Sequence, residues 1–271
     1  MNRIDETFKK LKNEGTAAFI AYITAGDPDL KTTGRLALAL ERSGVDILEL
    51  GIPFSDPVAD GPTIQAASQR ALKNGTNLAS IFAMTALLRK KTKMPIVFMS
   101  YVNPIMKYGF SRFVRECVRT GVDGIIIPDL PYEEAGELLV LTRRANVALI
   151  FLAAPTSTPA RLKQLASKTA GFLYYVSLTG VTGERRSLPP EVLSRVRALR
   201  SMTGKPVCVG FGISDRSQAR VIAAHADGVI VGSAIVKIIE TTPEGAVMIT
   251  RVEQFARSLA AGVHQAHEKT K

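Results

Sequence analysis

The stretch ILELGIPFSDPVADGPTIQ, residues 47 to 65, decides how the rest of the chain is interpreted. It opens with a short apolar run, typical of a strand covered on both faces of a parallel sheet, yet Glu49 lies inside that run. Burial raises the pKa of a carboxyl group, so a glutamate at the end of such a strand suits proton transfer. A buried structural glutamate, paired with a lysine or arginine, is the alternative interpretation.

A loop rich in glycine and proline follows this strand and carries Ser55, Asp56 and Asp60. The loop is too rigid for a linker and too polar for a core. Pro62 suits the first turn of a helix, where the missing N–H removes no helical hydrogen bond. Asp60 is therefore either a capping residue of that helix or a functional carboxylate.

Outward from this stretch, a pattern of strand, loop and helix recurs along the 271 residues. The eight expected strands span 17–24, 46–50, 95–100, 124–127, 148–153, 172–177, 206–209 and 228–231. An amphipathic helix over 4–13 precedes them, a loop at 101–104 leads to a helix over 111–120, and a terminal helix covers 243–267. No linker divides the chain. The sequence predicts one domain over residues 1–271, an α/β fold forming a single (β/α)8 TIM barrel with an extra N-terminal helix.

Composition restricts the possible classes of protein. Hydrophobic residues make up 46% and charged residues 22%, as in soluble globular proteins, and no apolar run approaches a membrane span. The N-terminus carries Asp5, Glu6 and Glu14, which transit peptides avoid, and lacks an apolar secretion core, so a cytoplasmic location is expected. Cys117 and Cys208 lie far apart, and His264 and His267 are expected to be solvated tail residues. Neither a disulfide framework nor a metal site is therefore expected.

The formal net charge of +11 invites a nucleic-acid hypothesis. The basic residues are scattered, and the densest clusters are Arg89–Lys93, Arg143–Arg144 and Arg185–Arg186. No aromatic residues or recognition motif accompany them. We interpret them as solvated helix faces with some attraction for anionic substrates.

Glycine-rich turns follow the last two expected strands, with Gly210, Phe211 and Gly212 after the seventh and Gly232 and Ser233 after the eighth. Glycines let backbone amides approach an oxyanion, and the N-terminus of each following helix adds partial positive charge. Barrels frequently bind phosphate at these two loops. The sequence therefore predicts a phosphate site there.

The segment 178–188, after the sixth strand, combines hinge glycines with hydroxyl and charged side chains, including Thr182 and Gly183. Such a composition suits a lid over a bound phosphate ester. It equally suits an ordinary surface loop, and composition alone does not separate the two.

Several motifs together resemble the family of tryptophan synthase alpha subunits. They are LELGIPFSDPVADGPTIQ (48–65), TAGDP (24–28), SLTGVTGERR (177–186), GFGIS (210–214) and VGSAIVKIIE (231–240). The resemblance covers nearly the whole chain. It implies a lyase of tryptophan biosynthesis that cleaves indole-3-glycerol phosphate to indole and glyceraldehyde 3-phosphate by a retro-aldol step, without a metal or organic cofactor.

The resemblance also implies roles for individual residues. Glu49 matches the general acid/base, Asp60 matches the carboxylate that stabilises the indolenine-like intermediate, and Tyr174 matches the tyrosine beside the substrate. The implied contacts to the indole ring are Tyr22, Met99, Ile126, Leu152 and Phe211, with Tyr22 and Met99 standing where Phe and Leu are familiar. The implied lid contact is Thr182, and the implied phosphate donors are Gly183, Gly212, Gly232 and Ser233.

A partner is implied as well, the PLP-dependent beta subunit in an α2β2 heterotetramer. The residues matching the surface that meets it are Pro53, Asp56, Pro57 and Pro131, and PLP itself is not expected on this chain. A non-catalytic regulatory subunit of the beta partner is the alternative, and it predicts altered catalytic positions. Another phosphate-binding barrel enzyme is a further alternative, although it would not need the pair Glu49 and Asp60 around this loop.

Overall fold

A computed structural model describes residues 1–176, 190–210 and 212–265 of the chain. The strands in these ranges are β1 (Ala18–Thr24), β2 (Ile47–Gly51), β3 (Ile96–Met99), β4 (Gly124–Ile126), β5 (Ala148–Ile150), β6 (Leu152–Ala153), β7 (Leu173–Val176), β8 (Val207–Gly210) and β9 (Gly228–Val231). The helices are α1 (Arg3–Glu14), α2 (Leu30–Arg42), α3 (Pro62–Lys73), α4 (Leu78–Arg89), α5 (Val102–Tyr108), α6 (Phe110–Thr120), α7 (Gly136–Arg144), α8 (Pro159–Lys168), α9 (Pro190–Met202), α10 (Arg216–Ala223), α11 (Ser233–Thr241) and α12 (Ala246–His264).

The strands form one parallel sheet in the order β5, β4, β3, β2, β1, β9, β8, β7, β6. Only Phe151 separates β5 from β6, and its carbonyl accepts a hydrogen bond from the Tyr174 N–H at 3.1 Å. The run from Ala148 to Ala153 therefore joins the two ends of the sheet into a nearly closed barrel. This confirms the predicted α/β barrel, with the fifth predicted strand divided in two.

Successive side chains of each strand point alternately into the barrel and outward, which gives an interior layer and an outer layer. Side chains such as Ile20, Ile47 and Phe172 form one buried cluster inside the barrel. Their outward-facing neighbours, including Phe19 and Leu48, pack beneath the surrounding helices. The interior positions nearest the carboxyl ends of the strands are thus available for a site.

Helix α1 covers the amino-terminal end of the barrel. Its buried side chains Ile4, Phe8 and Leu11 join the interior cluster, and the Phe8 and Phe172 ring centroids are 5.8 Å apart. The Asn2 side chain caps the helix by accepting from the Ile4 N–H at 2.9 Å. The functional groups expected at the carboxyl ends of the strands therefore lie at the opposite end of the barrel.

The stretch after β3 differs from the prediction. A loop was expected at 101–104, but α5 begins at Val102 and ends before Gly109, whose φ is +89°. Pro104 lies in the first turn of this helix, where a proline removes no helical hydrogen bond. The proline therefore marks the start of a helix here, not a loop.

Two basic side chains expected to be solvated are instead paired at the amino-terminal end. The His264 Nε2 lies 2.9 Å from an Asp46 carboxylate oxygen, which also accepts the Phe19 N–H at 2.7 Å. The Arg89 side chain is only 14% exposed and donates to Asp123 at 2.9 Å. Each aspartate binds a basic side chain and a strand N–H, a pairing that sequence periodicity does not show.

Among the described helices, none combines the length and the apolarity needed to cross a membrane.

Candidate active site

Glu49 lies on an interior position near the end of β2 and is 1% exposed. It stands between Tyr22 of β1 and Val97 of β3 in the sheet register. Its Oε2 is buried without a hydrogen-bond partner, and no lysine or arginine pairs with it in the described part of the chain. Burial, assisted by the nearby charge of Asp60, raises the pKa of Glu49 to about 8. The carboxyl group therefore holds a proton at neutral pH.

Asp60 lies on the loop between β2 and α3. The N-cap of α3 is Gly61, with no side-chain capping hydrogen bond, so Asp60 is not the capping residue that the sequence allowed. Its carboxylate is hydrogen-bonded by the Tyr101 hydroxyl, which itself accepts the Ala59 N–H at 2.9 Å. Burial raises the pKa of Asp60 to about 6, and the hydrogen bond from Tyr101 opposes this rise. Asp60 is therefore mostly ionised where Glu49 is mostly protonated.

Three tyrosines surround these carboxyl groups. Burial, together with the charges of Asp60 and Glu49, raises the pKa values of Tyr22 and Tyr174, and burial and Asp60 do the same for Tyr101. The Tyr22 hydroxyl lies 3.3 Å from the Thr24 hydroxyl. All three phenols therefore remain neutral and able to donate hydrogen bonds. Tyr101 is the residue of this group to which the sequence assigned no role.

Two glycines make room for two of these phenols. A Cβ at Gly51 would lie 2.0 Å from the Tyr22 hydroxyl oxygen, and a Cβ at Gly210 would lie 2.6 Å from that of Tyr174. Any side chain at either position would displace a tyrosine from the site. This requirement comes from neighbouring strands, and so the local sequence pattern indicated only a phosphate turn at Gly210.

Apolar side chains complete the same end of the interior. Met99 of β3 is the register partner of Ile126 in β4, and Leu152 of β6 is the register partner of Tyr174. Ile126 is fully buried, whereas Met99 and Leu152 are half-buried and open toward the carboxyl ends. The structure thus brings these predicted indole contacts together with Glu49. Phe211 lies outside the described residues.

The two predicted anion-binding turns leave adjacent strands. Gly210 of β8 pairs with Ile230 of β9, so Gly212 and Gly232 each follow that pair by two residues. Gly212 is exposed in open space, and Gly232 precedes α11, whose first residue is the exposed Ser233. The free N–H groups at the start of a helix favour an anion. Thr182 and Gly183 lie outside the described residues.

These groups and the barrel define a class of protein. It is a parallel α/β-barrel enzyme with a buried carboxyl group that is protonated at neutral pH, a nearby carboxylate and two glycine-containing turns at the carboxyl ends of its strands. No group of three or more His, Cys, Asp or Glu side chains that could hold a metal ion occurs in the described ranges.

Comparison with known proteins identifies the family within this class. The family model for the tryptophan synthase alpha chain matches residues 8–264. The tryptophan synthase alpha chain of Geotalea daltonii is 49% identical over 263 residues, which cover 97% of this chain and 99% of the relative. That of Caldanaerobacter subterraneus is 47% identical over 259 residues, which cover 96% and 98%. The chain belongs to the tryptophan synthase alpha chain family.

Solved structures agree with this assignment. The tryptophan synthase subunit alpha from Legionella pneumophila matches with a TM-score of 0.90 and 37% identity, covering 97% of this chain and 98% of that one. A crystal structure of tryptophan synthase from M. tuberculosis, in an open form with BRD0059 bound, matches with a TM-score of 0.87 and 34% identity, covering 97% and 99%. The chain is thus a lyase of tryptophan biosynthesis that acts on indole-3-glycerol phosphate. Members of its family need no cofactor of their own, since PLP belongs to the beta subunit.

Proposed function

We propose that this chain cleaves indole-3-glycerol phosphate to indole and glyceraldehyde 3-phosphate by a retro-aldol step, with Glu49 as the general acid/base. The observation that carries the proposal is the buried Glu49 carboxyl group, whose Oε2 has no partner and whose pKa is raised to about 8. A group in this state can give up a proton at neutral pH and then take one back.

The proton balance of the reaction closes with one residue in both roles. The protonated Glu49 donates its proton to C3 of the indole ring, which leaves positive charge on the ring nitrogen. The Glu49 carboxylate then accepts the proton of the adjacent glycerol hydroxyl as the carbonyl forms and the carbon–carbon bond breaks. The bond electrons return to the ring, indole leaves, and Glu49 is protonated again. Each positioned transfer contributes typically ~10²- to 10⁴-fold.

Asp60 supplies the fixed negative charge in this scheme. Its carboxylate hydrogen-bonds the indole N–H and stabilises the indolenine-like intermediate, where positive charge develops. A pKa of about 6 keeps Asp60 mostly ionised at neutral pH, and the Tyr101 hydroxyl holds the carboxylate in place. Tyr174 is the neutral phenol beside the reacting bond, because burial and the charge of Glu49 raise its pKa.

The remaining groups bind the two ends of the substrate. The indole ring occupies the apolar end of the interior formed by Tyr22, Met99, Ile126 and Leu152. The phosphate accepts hydrogen bonds at the turns of Gly212, Gly232 and Ser233. The further contacts implied by the resemblance, Phe211 to the ring and Thr182 and Gly183 at the lid and the phosphate, lie outside the described residues.

We further propose that the chain binds a PLP-dependent beta subunit in an α2β2 heterotetramer. Support comes from the matched M. tuberculosis protein, whose structure is of tryptophan synthase. The proposed surface contains Asp56, Pro57 and Pro131, beside Val58, which is 83% exposed. Pro53 is buried in the free chain and lies beneath this surface.

The test is indole release from indole-3-glycerol phosphate by the wild-type chain and by Glu49→Gln, each with a beta subunit present. Activity in the wild type, and its loss in the variant while the complex still forms, would support both the lyase reaction and the role of Glu49. Glu253→Gln is the matched control, because Glu253 pairs with Arg42 outside the site. An intact complex without indole release by the wild type would favour the regulatory subunit.

A further inference from the structure

Three elements carry the two ends of the proposed substrate site. Helix α3 begins two residues after Asp60, and α11 begins at Ser233 in the anion-binding turn. Between them, Tyr22 of β1 forms a separate buried cluster with residues of both helices, namely Ile64, Ala67 and Val236. The relative position of α3 and α11 therefore sets the separation between the carboxylate end and the phosphate end of the site.

Arg70 joins these elements from the outside of the barrel. Its Nε and Nη2 donate to the two carboxylate oxygens of Asp27 at 2.8 and 2.9 Å, and its Nη1 donates to Glu240 at 3.0 Å. Asp27 follows β1 and is only 2% exposed, while Glu240 lies on α11. A planar guanidinium whose three nitrogen atoms all donate hydrogen bonds holds its partners in one geometry.

The loop that carries Asp27 is itself attached to α2 and to the end of α3. The Gly26 N–H donates to the hydroxyl of Thr33, on α2, at 3.0 Å, and a Cβ at Gly26 would lie 2.1 Å from the hydroxyl oxygen of Thr76, just after α3. The Asn74 side chain donates to the Pro28 carbonyl. Arg70, which lies on α3, therefore connects α11 to a loop that is already fixed against α3.

We propose that Arg70 is a positioning residue that sets the distance between Asp60 and the anion-binding turn of α11. The inference rests on the proposed function, because it takes indole-3-glycerol phosphate as the molecule that reaches from one end to the other. A ligand that occupies both ends must match this distance. A ligand that occupies only the phosphate end is insensitive to it.

Binding measurements separate the two kinds of ligand. Indole-3-propanol phosphate carries both ends but has no bond to cleave, and glycerol 3-phosphate carries only the anion. In Arg70→Lys, which keeps the charge but loses the fork, we expect calorimetry to show weaker binding of the first ligand by roughly three- to thirtyfold. Binding of glycerol 3-phosphate should be unchanged. Equal weakening of both ligands, or of neither, would overturn the proposal.

A second variant controls for a folding defect in Arg70→Lys, because loss of the Arg70 hydrogen bonds would leave Asp27 as an unpaired buried charge. Glu240→Ala removes the connection to α11, together with the pair to Lys237 on the same helix, and leaves the Asp27–Arg70 pair intact, so the same pattern is expected with a smaller shift. Arg42→Lys is the matched control, because it alters an arginine–glutamate pair at 2.7 Å outside the site. Failure of the wild-type chain to bind indole-3-propanol phosphate would instead contradict the proposed function. Wild-type binding with no selective loss in either variant would contradict the role of Arg70 alone.

Discussion

The hydroxyl group of Tyr101 connects the Asp60 carboxylate to the backbone of the loop that carries it. It hydrogen-bonds the Asp60 side chain and accepts the Ala59 N–H at 2.9 Å, while its ring centroid lies 5.4 Å from that of Phe54. Tyr101 is 4% exposed and follows β3, so its position is set by the barrel and not by the loop. One side chain thus orients the Asp60 carboxylate on its loop and lowers its pKa against the effect of burial.

Replacing Tyr101 with phenylalanine should raise the pKa of Asp60. The variant keeps the ring contact with Phe54 but loses the hydrogen bond that favours the ionised carboxylate, so the pKa should rise above about 6, by roughly one unit. If cleavage needs ionised Asp60, the acidic limb of kcat/KM moves to higher pH. Tyr108→Phe is a suitable control, because Tyr108 packs on Phe82 and Phe113 in the outer layer. An unshifted acidic limb in Tyr101→Phe would contradict the assignment.

The two carboxyl groups should give the wild-type enzyme a bell-shaped pH profile. Cleavage as proposed starts from ionised Asp60, with a pKa of about 6, and protonated Glu49, with a pKa of about 8. The value of kcat/KM should therefore be highest near pH 7 and fall on both sides, with apparent pKa values that belong to the interacting pair. Steady-state indole formation from pH 5 to pH 10 measures it. A profile that rises continuously through pH 9 would exclude protonated Glu49 as the initial donor.

Glu49 should also make the stability of the fold depend on pH. Its pKa is about 8 in the folded chain and close to the ordinary value of 4.5 in the unfolded chain, so the folded state binds the proton more tightly. The stability present below about pH 4.5 is therefore lost as the pH rises through 8. Glu49→Gln lacks this dependence and should become the more stable chain above pH 8, on the order of a few kcal/mol. Urea unfolding of both chains at pH 5 and pH 9 gives the comparison, and a constant difference would contradict it.

The fold could be predicted because its signal is local. Apolar runs that end at glycine, proline or aspartate recur through the chain, and the strand that contains Glu49 and the helix that starts at Pro62 both lie where that pattern predicts. Glu49 itself was identifiable because a carboxyl group inside an apolar run implies burial. Interior positions such as Ile126 came from the family resemblance, and alternation along β4 explains their place.

Other features depend on residues that are distant in the chain. Tyr101, which follows β3, contacts Ala59 in the loop after β2, 42 residues away in the chain, and no local pattern indicates that contact. Arg89 looks like part of a solvated basic cluster, yet it reaches Asp123, 34 residues later. Charge is visible in a sequence, but the partner that neutralises it is set by the packing of the barrel.

Substitution of Gly51 by alanine should disturb the site through Tyr22. The added Cβ would lie 2.0 Å from the Tyr22 hydroxyl oxygen and 2.5 Å from the ring carbon that bears it, so the ring must move. We expect a loss of about 1–3 kcal/mol in the free energy of unfolding and a raised KM for indole-3-glycerol phosphate. Gly61→Ala, at the end of the loop that follows β2, is the matched control, since nothing lies within 4 Å of its Cβ position. Equal behaviour of the two variants would show that Tyr22 has room to move.

The pair of His264 and Asp46 should stabilise the fold in a pH window of its own. The hydrogen bond to Asp46 at 2.9 Å is the main cause that raises the pKa of His264 above its ordinary value of 6.5, while burial and Lys10 oppose the rise and Glu14 adds to it. The contribution is complete below about pH 6.5 and is lost as the pH rises through the folded-state pKa. It should amount to at most about 1 kcal/mol, because the imidazole is partly exposed and screened by solvent.

His264→Gln should therefore be less stable than the wild type at pH 5.5, and the difference should shrink by pH 9. His225→Gln provides a control of opposite sign, because burial and the charges of Arg197 and Arg200 lower the pKa of His225. The folded state disfavours the protonated form of His225, so its removal should help at low pH and become neutral as the pH rises. Thermal unfolding of the three chains across this range measures both effects. If both variants changed stability in the same direction with pH, the pairing of His264 with Asp46 would not be the source of its effect.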